Sequence, residues 1–248
     1  MKRFELVLPA YNEAPSLKRL VERASQAAEA AGFTPESFGL VLVNNGSTDE
    51  SETVLAELSR SPLGAWFRVV RVPVNRGYGH GIFTGLQATS APIVGWSHAD
   101  FQCDPNDAFR AYCVVAEGGL RLAKGERSGR NARDIFVSRV FELFALVILG
   151  RRLHEINAQP KVFPATLKIA LLAPPMTFAF DLYVLYRAQE LGYAIDAIPV
   201  VFPPRIHGAS KWASSFLGRY RTILGIIAYM FHLRRSKSSG HLHTPSNK

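Results

Sequence analysis

The chain has 248 residues, of which 48% are hydrophobic, and it carries a formal net charge of +9. This length and composition predict one α/β domain with a large core and a C-terminal extension, rather than two domains. Two cysteines, Cys103 and Cys113, exclude a disulfide framework and a zinc-finger spacing, and the first apolar run is too short for a signal peptide, so we expect a cytoplasmic protein.

Strands and helices are predicted to alternate along the first hundred residues. Apolar runs predict four strands, at Phe4–Leu8, Leu40–Val43, Phe67–Val72 and Ala91–Trp96. Apolar residues at helical spacing predict helices between them, from about Pro15 to Ala31, through Val54 and Leu58, and up to about Thr89. This alternation predicts an α/β domain with a mostly parallel central sheet, right-handed crossovers and flanking helices.

Polar segments follow the second and third predicted strands. The last three residues of Asn44–Asp49 are good helix caps, and exposed amides there can hold the anionic or ribose groups of a nucleotide. Asn45-Gly46 is also typical of hairpin turns, but the helical pattern after it argues against a hairpin. The glycines of segment 77–81, Gly79 among them, allow a close backbone approach to a ligand, but their spacing argues against an ordinary NAD or ATP site.

The fourth predicted strand runs directly into the polar segment where we place the chemistry. In open α/β sheets the ligand crevice lies beyond the carboxyl ends of the strands, and residues two apart in an extended segment project to the same side. His98, Asp100 and Gln102 are therefore expected to converge on one ion or phosphate, and the oxygen donors suit Mg²⁺ or Mn²⁺ bridged to a nucleotide diphosphate. The alternative is that Asp104-Pro105 simply opens the next helix.

The second half of the chain adds further helices and strands. Helices are predicted at Pro105–Ala116, Asp134–Leu149, Ala165–Leu172 and Phe178–Leu191, and strands at Leu120–Lys124 and Ile195–Phe202. The helix that ends at Leu149 is apolar on nearly all sides, so we expect it to be buried or pressed against a membrane, which it is too short to cross. No element is predicted for residues 156–163, and Pro203–Trp212 forms a loop.

Nearly all of the excess positive charge lies near the C-terminus. After Asp196 the sequence has eight Lys and Arg residues and no Asp or Glu. Because arginines alternate there with long apolar side chains, we predict an amphipathic, membrane-associating helix at 212–235, peripheral on the inner face of the cell membrane. The alternative is a terminal helix packed on the domain's own core. Residues 236–248 are expected to be disordered.

Five motifs in a fixed order resemble a known family. They are Leu-Pro-Ala-Tyr-Asn-Glu at 8–13, Val-Asn-Asn-Gly-Ser-Thr-Asp at 43–49, Asn-Arg-Gly-Tyr-Gly at 75–79, His-Ala-Asp-Phe-Gln at 98–102, and the segment from Arg205 to Lys211. Together they resemble the family-2 glycosyltransferases of GT-A fold, and most of all their dolichyl- or polyprenyl-phosphate branch. The resemblance covers residues 4 to about 235. It implies a single Rossmann-like GT-A domain at 1–211 that transfers a sugar, with inversion, from a nucleotide-sugar donor to a polyprenyl phosphate.

The resemblance also implies roles for individual residues. Asp100 and Gln102 would ligate a Mg²⁺ or Mn²⁺ ion on the diphosphate, with His98 at the position where the family usually has the first Asp of its Asp-x-Asp motif. The residues that would cradle the base and ribose are Pro9, Ala10, Tyr11, Glu13, Asn44 and Asp49. The residues that would receive phosphates, including that of the lipid acceptor, are Arg127, Arg139, Lys161, Arg205, Ser210 and Lys211.

The chemistry of glycosyl transfer agrees with these roles. A departing diphosphate must be neutralised, which a metal ion and fixed cations do, and a phosphate acceptor is already anionic and needs little help from a base. The first alternative is a family-2 transferase that acts on a saccharide hydroxyl in surface glycan synthesis, which requires a carboxylate base such as Asp104, Asp107 or Glu155. The second is a nucleotide-sugar-binding protein with weakened catalysis, suggested by His98.

Asn44 and the basic residues indicate which nucleotide base the protein is expected to bind and whether nucleic acid is an expected partner. Asn44 stands where the family usually has an Asp that accepts a hydrogen bond from the ring N–H of the base. Because an amide donates as well as accepts, cytosine becomes a candidate beside uracil and guanine. Nucleic acid is not expected as a partner, since the basic residues lie among aliphatic side chains instead of aromatic stacking platforms.

Overall fold

The computed structural model describes residues 1–99, 103–129, 132–201 and 216–238. The strands of the described chain are β1 (Phe4–Ala10), β2 (Phe38–Asn45), β3 (Phe67–Val72), β4 (Ile93–Trp96), β5 (Arg121–Ser128), β6 (Lys161–Pro164) and β7 (Ala194–Val201). Its helices are α1 (Ala14–Ala30), α2 (Ser51–Arg60), α3 (Tyr78–Gln87), α4 (Pro105–Ala116), α5 (Ala132–Leu149), α6 (Ala165–Ile169), α7 (Phe180–Glu190) and α8 (Phe216–Ser238), with a 3₁₀ turn at Pro62–Trp66.

The strands form one sheet in the order β3-β2-β1-β4-β6-β5-β7. The first four strands pair in parallel, and each is joined to the next by a helix, as the alternating sequence pattern predicts. Strands β1 and β2 lie in the middle of this half and are almost fully buried, because their apolar side chains are covered on both faces. The predicted mostly parallel α/β fold with flanking helices is confirmed.

Strand β6 is an element that the sequence analysis missed. It lies between β4 and β5 and runs antiparallel to both, so the second half of the sheet is mixed, and β7 then pairs in parallel with β5. The strand has only four residues, with prolines at 160 and 164 and a lysine at 161, and such a segment lacks the apolar run that predicts a buried strand. Helix α6 is also three residues shorter than predicted.

The core has one layer on each side of the sheet, because successive residues of a strand face opposite sides. Phe4 and Leu6 point to the side covered by α1, α2 and α4, whereas Val7 points to the side covered by α3, α5 and α7. The rings of Phe33, Phe38 and Phe109 pack around Phe4 on the first side. The strands are thereby fixed, and their carboxyl ends present the predicted polar segments at one edge.

Helices α5 and α8 pack on the second side of the sheet. Ile226, Met230 and Leu233 of α8 and Ala145 and Ile148 of α5 are buried in the core there. Helix α8 therefore docks on its own domain along one stripe, as the alternative to a purely membrane-bound helix predicts, and it ends at Ser238, three residues past the predicted boundary. Among the described helices, none combines the length and the apolar content needed to cross a membrane.

Candidate active site

Two loops at the carboxyl edge of the sheet are tied together by Asn12. Its backbone N–H donates to the hydroxyl of Ser47 at 3.1 Å, and its side-chain carbonyl accepts from the backbone N–H of Thr48 at 2.8 Å. Asn12 adopts a positive φ of 57°, a conformation that asparagine tolerates better than most residues. The loops after β1 and β2 thus form one rigid rim, which holds several residues predicted to cradle the base and ribose.

Asp49 joins this rim to the starts of two helices. Its Oδ1 accepts hydrogen bonds from the backbone N–H and hydroxyl of Ser51, at 3.0 and 2.6 Å, and its Oδ2 accepts from the N–H of Ala14 at 3.2 Å. Burial raises the pKa of Asp49, but these hydrogen bonds outweigh it and hold the pKa below the usual range. Glu13 lies at the N-cap position of α1 beside it. In this structure Asp49 therefore organises the loop that would hold the ribose.

Asn44 is buried at the end of β2, and its amide is oriented by protein groups. Its Nδ2 donates to Glu52 at 2.9 Å, and its Oδ1 accepts from the backbone N–H of Ser47 at 3.1 Å. Glu52 in turn pairs with Arg71 at 2.7 Å. Hydrogen bonds from Arg71 and Asn44 lower the pKa of Glu52, so Glu52 remains a carboxylate. Because a carboxylate only accepts hydrogen bonds, it keeps the NH₂ group of Asn44 turned towards it.

The remaining residues predicted on the donor side differ in what they contact. Pro9, Ala10 and Tyr11 follow one another at the end of β1, with Ala10 buried and the other two partly exposed. Gly79 lies in the first turn of α3, and a Cβ there would collide with the backbone of Pro175 and Thr177. The close approach that this glycine permits is therefore to the protein's own backbone.

His98 lies just beyond β4, at the point where the predicted metal segment begins. Its Nε2 is 3.4 Å from the hydroxyl of Tyr78, and Tyr78 stacks on Phe178 with ring centroids 5.1 Å apart. Asp100 and Gln102, the predicted metal ligands, lie outside the described residues. As a donor set, a carboxylate and an amide oxygen fit a hard divalent cation such as Mg²⁺ or Mn²⁺, whereas an imidazole is a more usual ligand of softer transition metals.

The residues predicted to receive phosphates do not share one environment. Arg127, at the end of β5, pairs with Glu155 at 2.6 Å and keeps 17% of its side chain exposed. Arg139 is exposed on α5. Arg205, Ser210 and Lys211 lie outside the described residues.

Lys161 is enclosed within the protein. Its ammonium pairs with Asp181 and donates to the carbonyl of Ala158 at 3.0 Å, and it lies 5.4 Å from the ring centroid of Trp96. Burial lowers the pKa of Lys161, whereas the Asp181 carboxylate raises it. Lys161 is therefore buried beneath the candidate site, where it pairs with Asp181, and it does not face a phosphate that solvent can reach.

The three carboxylates that a hydroxyl acceptor would need as a base are each engaged. The carboxylate of Asp104 accepts a hydrogen bond from the backbone N–H of Asn106, in the first turn of α4, and pairs with Arg23 at 2.9 Å. Asp107 pairs with Arg110 at 2.8 Å. Glu155 pairs with Arg127, as described above. All three therefore have structural partners that account for their presence.

An apolar cleft lies on the other side of Phe178. It has a volume of about 640 Å³ and runs between the loop 175–178 and helix α8. Its walls are mainly apolar, with a few polar groups among the lining residues. The lining residues are Pro175, Met176, Thr177, Phe178, Arg221, Thr222, Gly225, Ile226, Ala228, Tyr229 and His232. Because Phe178 also stacks on Tyr78, the cleft is separated from His98 by only two aromatic side chains.

Solved structures place this arrangement in a known fold. Glucosyl-3-phosphoglycerate synthase from Mycobacterium tuberculosis, in complex with Mn²⁺, UDP and glucosyl-3-phosphoglycerate, gives a TM-score of 0.69 at 20% identity, covering 94% of this chain and 80% of that one. The same synthase with Mn²⁺ and UDP-glucose gives a TM-score of 0.70 at 18% identity, covering 93% and 79%. At this level of identity the likeness shows the fold alone, and it confirms the predicted GT-A fold.

The sequence defines the family more narrowly. The model of the family described as Glycosyl transferase family 2 matches residues 5–159, and the chain belongs to that family. It is 27% identical to the dodecaprenyl-phosphate galacturonate synthase of Rhizobium johnstonii over 95% of this chain and 69% of that protein. It is 36% identical to the undecaprenyl-phosphate 4-deoxy-4-formamido-L-arabinose transferase of Edwardsiella ictaluri over 84% of this chain. The match spans only 62% of that second relative, and about a third of several others.

Sequence reasoning missed three residues that shape this site. Tyr78, Gln159 and Asp181 come from α3, the segment before β6, and α7, which are far apart along the chain. The available signals were the Asn-Arg-Gly-Tyr-Gly motif at 75–79, which contains Tyr78, and the polar pair Gln159 and Lys161, which flanks a proline in a segment with no predicted element. Nothing in the sequence around Asp181 distinguishes it from an ordinary helix residue.

Proposed function

We propose that this chain is an inverting glycosyltransferase that moves a sugar from a nucleotide-sugar donor to a polyprenyl phosphate. The observation that carries the proposal is the apolar cleft between loop 175–178 and α8, since a lipid acceptor needs an apolar surface close to the reacting phosphate. The cleft is lined by Phe178, whose neighbour Tyr78 contacts His98. The names of the two relatives, each a polyprenyl-phosphate transferase or synthase, support the same acceptor class.

The absence of an evident base among the described carboxylates fits a phosphate acceptor. A sugar hydroxyl must lose a proton as it attacks, whereas a phosphate monoester already carries negative charge. Among the described residues, Asp104, Asp107 and Glu155 are all paired with arginines. Arg127, Arg139, Arg205, Ser210 and Lys211 remain our proposed groups for the acceptor and donor phosphates.

The proposed donor is a nucleotide diphosphate sugar with a Mg²⁺ or Mn²⁺ ion. Asp100 and Gln102 would hold the ion beside His98, and the ion would supply the charge that stabilises the departing diphosphate. The rim of loops formed through Asn12 and Asp49 would hold the ribose, and Asn44 would meet the base. These roles follow from the family motif and from the position of the loops at the carboxyl edge of the sheet.

We propose that the protein is cytoplasmic and works at the inner face of the cell membrane. Phe136, Leu143 and Val147 of α5 are 68%, 59% and 68% exposed, and their spacing of seven and four residues places them on one face of the helix. Arg139 is exposed on the same helix. An exposed apolar stripe with an adjacent arginine suits a surface of anionic lipid. The proposed division is a transferase domain at 1–211, a membrane-associating helix predicted at 212–235 that the structure extends to Ser238, and a tail after it.

The direct test uses a panel of radiolabelled UDP-, CDP- and GDP-sugars with undecaprenyl phosphate in detergent, in the presence of MnCl₂ or MgCl₂. We expect label to move into the organic phase, and we expect Asp100→Ala to abolish this transfer. The matched control is Leu120→Ser, which changes an exposed side chain in the turn before β5, at the opposite end of the sheet. Label found only in a water-soluble glycan would instead identify a saccharide acceptor, and nucleotide binding without any transfer would identify a binding protein.

The cleft can be tested separately from the membrane. Ala228→Arg places a charge inside the cleft, whereas Leu224→Arg places one on an exposed position of the same helix outside it. With a short-chain polyprenyl phosphate dispersed in detergent, we expect Ala228→Arg to raise the KM for the lipid at least tenfold and to leave the KM for the donor unchanged. Equal effects of the two variants on the lipid KM would contradict this role for the cleft.

A further inference from the structure

A chain of buried polar side chains runs from α7 towards the candidate site, and the proposed function assigns it no role. Asp181, in the first turn of α7, is 3% exposed. Its Oδ1 accepts a hydrogen bond from Nε2 of Gln159 at 2.8 Å and also pairs with the ammonium of Lys161. Because an unpaired charge is costly in the interior, these contacts hold both Lys161 and Gln159 in place.

Gln159 extends this chain to Tyr78. Its Nε2 lies 3.1 Å from the Tyr78 hydroxyl, and the same hydroxyl lies 3.4 Å from Nε2 of His98. Burial raises the pKa of Tyr78 well above its usual value, and the negative charge of Asp181 raises it further, so the hydroxyl stays protonated. A protonated phenol donates one hydrogen bond and accepts others, so the Tyr78 hydroxyl, which also interacts directly with the Asp181 side chain, can connect Gln159 and Asp181 to His98.

Tyr78 is itself held on several sides. Its ring stacks on Phe178 with an interplanar angle of 15° and meets the ring of His98 edge-on at 6.0 Å. The neighbouring Gly77 and Gly79 pack so closely on the backbone of loop 175–177 that a Cβ at either position would collide with it. A side chain whose own position is fixed by packing is well suited to orient a functional neighbour.

We propose that Tyr78 is a positioning residue that fixes the imidazole of His98 from an anchor formed by Gln159 and Asp181. His98 lies two residues before Asp100 in the sequence, so a fixed imidazole also restricts the start of the predicted metal segment. The effect on His98 stands by itself, and only its consequence for a metal-bound nucleotide rests on the proposed function. The two parts therefore need separate tests.

The first test observes His98 directly, in the protein without any ligand. Tyr78→Phe removes only the hydroxyl and keeps the ring that stacks on Phe178. In ¹⁵N-histidine spectra, with the signals of His98 assigned through His98→Ala, we expect Tyr78→Phe to shift the ring nitrogens of His98. The matched control is Tyr193→Phe, which removes a mostly buried hydroxyl that bonds Thr166 at 2.8 Å, away from the site. Unchanged His98 signals in Tyr78→Phe, or an equal shift in the control, would overturn the proposal.

The second test asks whether the position of His98 matters for the metal. Calorimetric titration of UDP, and of CDP and GDP in parallel, at a series of MnCl₂ concentrations gives the Mn²⁺ concentration for half-maximal nucleotide binding. We expect Tyr78→Phe to raise this concentration about 3- to 10-fold, the usual effect of losing one hydrogen bond. In a His98→Ala background, Tyr78→Phe should have no further effect, because Tyr78 acts through His98.

The outcomes separate this inference from the proposed function. If none of the three nucleotides binds, the proposed function fails, while the histidine spectra still decide whether Tyr78 fixes His98. If nucleotides bind and Tyr78→Phe raises the Mn²⁺ requirement equally with and without His98, Tyr78 acts by another route and the positioning role is wrong. Asp181→Asn tests whether the Asp181 carboxylate anchors Gln159. If the Asp181→Asn variant does not fold, Tyr78→Phe still tests the proposal.

Discussion

Among the described residues, the half of the sheet around β5 to β7 buries more charged side chains than the half around β1 to β3, where Glu5 is buried. Around β1 to β3, polar groups at the carboxyl edge bond to one another near the surface: the backbone N–H of Asn12 donates to Ser47, and the side chain of Asn12 accepts from the backbone N–H of Thr48. Around β5 to β7, charges lie inside the protein, and burial together with Lys161 lowers the pKa of Lys124 to about 8. In this second half it is apolar residues, such as Phe136 and Val147, that are exposed. This contrast fits a donor half that meets a polar nucleotide and an acceptor half that meets lipid.

The largest expected effect comes from breaking the buried pair of the acceptor half. Asp181→Leu leaves the ammonium of Lys161 without its counter-charge, and removal of one partner of a buried pair costs about 3–5 kcal/mol. Urea unfolding should show this loss, and the double variant Asp181→Leu with Lys161→Met should recover most of it. As an exposed reference, Arg23→Met breaks the pair between α1 and Asp104, the N-cap residue of α4, which is worth at most about 1 kcal/mol. Similar costs for the two pairs would show that burial does not set the cost of breaking an ion pair in this protein.

The next effect concerns the exposed apolar stripe of α5. Phe136→Ser together with Val147→Ser should weaken binding to vesicles of anionic phospholipid by about 30-fold, since two apolar side chains no longer enter the lipid. The stability of the protein in solution should change little, because both side chains are 68% exposed. Leu120→Ser, the matched exposed residue in the turn before β5, should bind vesicles normally. Sedimentation with the vesicles provides the measurement, and equal binding by all three proteins would contradict the membrane-facing role of α5.

The two halves also differ in how far the sequence predicts them. In the first half each strand is followed by a helix and then by a strand of the same sheet, so hydrophobic periodicity alone predicts the elements, and the Asn44–Asp49 motif locates the rim. In the second half β6 inserts antiparallel between β4 and β5, and its Lys161 does not look like a buried strand residue. Hydrophobic periodicity indicates which side of a single helix or strand is exposed. It cannot show which residues from distant parts of the chain come into contact.

The site residues follow the same division. Asn44, at the end of β2, and Asp49, in the loop after it, make most of their hydrogen bonds within eight residues along the chain, and Asp49 also accepts one from Ala14. The contacts of Gln159 with Tyr78 and Asp181 join positions 81 and 22 residues apart, and their meaning depends on burial that only the fold reveals. A lysine predicted to bind phosphate can therefore be a buried partner of an aspartate, since sequence gives the charge of a side chain without its surroundings.

Glu5, a buried acid of β1, makes the free energy of unfolding depend on pH. Glu5 accepts hydrogen bonds from Arg68 and from the backbone N–H groups of Ser90 and Ala91. Burial raises the pKa of Glu5, but these bonds outweigh it and lower the pKa below its usual value. The stabilisation is therefore complete above the ordinary glutamate pKa of about 4.3 and is lost as the pH falls through the lower folded-state pKa. Glu5→Gln should reduce this acid-side decline in urea unfolding free energy, and an unchanged decline would show that other groups cause it.

The smallest expected effect concerns which nucleotide base binds most tightly beside Asn44. Because Glu52 accepts one proton of the Asn44 amide and Ser47 donates to its oxygen, the second N–H of the amide remains to meet a base that accepts. Cytosine has an unprotonated ring nitrogen, so we expect CDP to bind more tightly than UDP or GDP in calorimetric titrations with MnCl₂. Asn44→Asp should reverse this order by about 1 kcal/mol, roughly fivefold in affinity, and should cost some stability because the new carboxylate faces Glu52. The idea fails if CDP binds no better than the other two nucleotides to the unaltered protein.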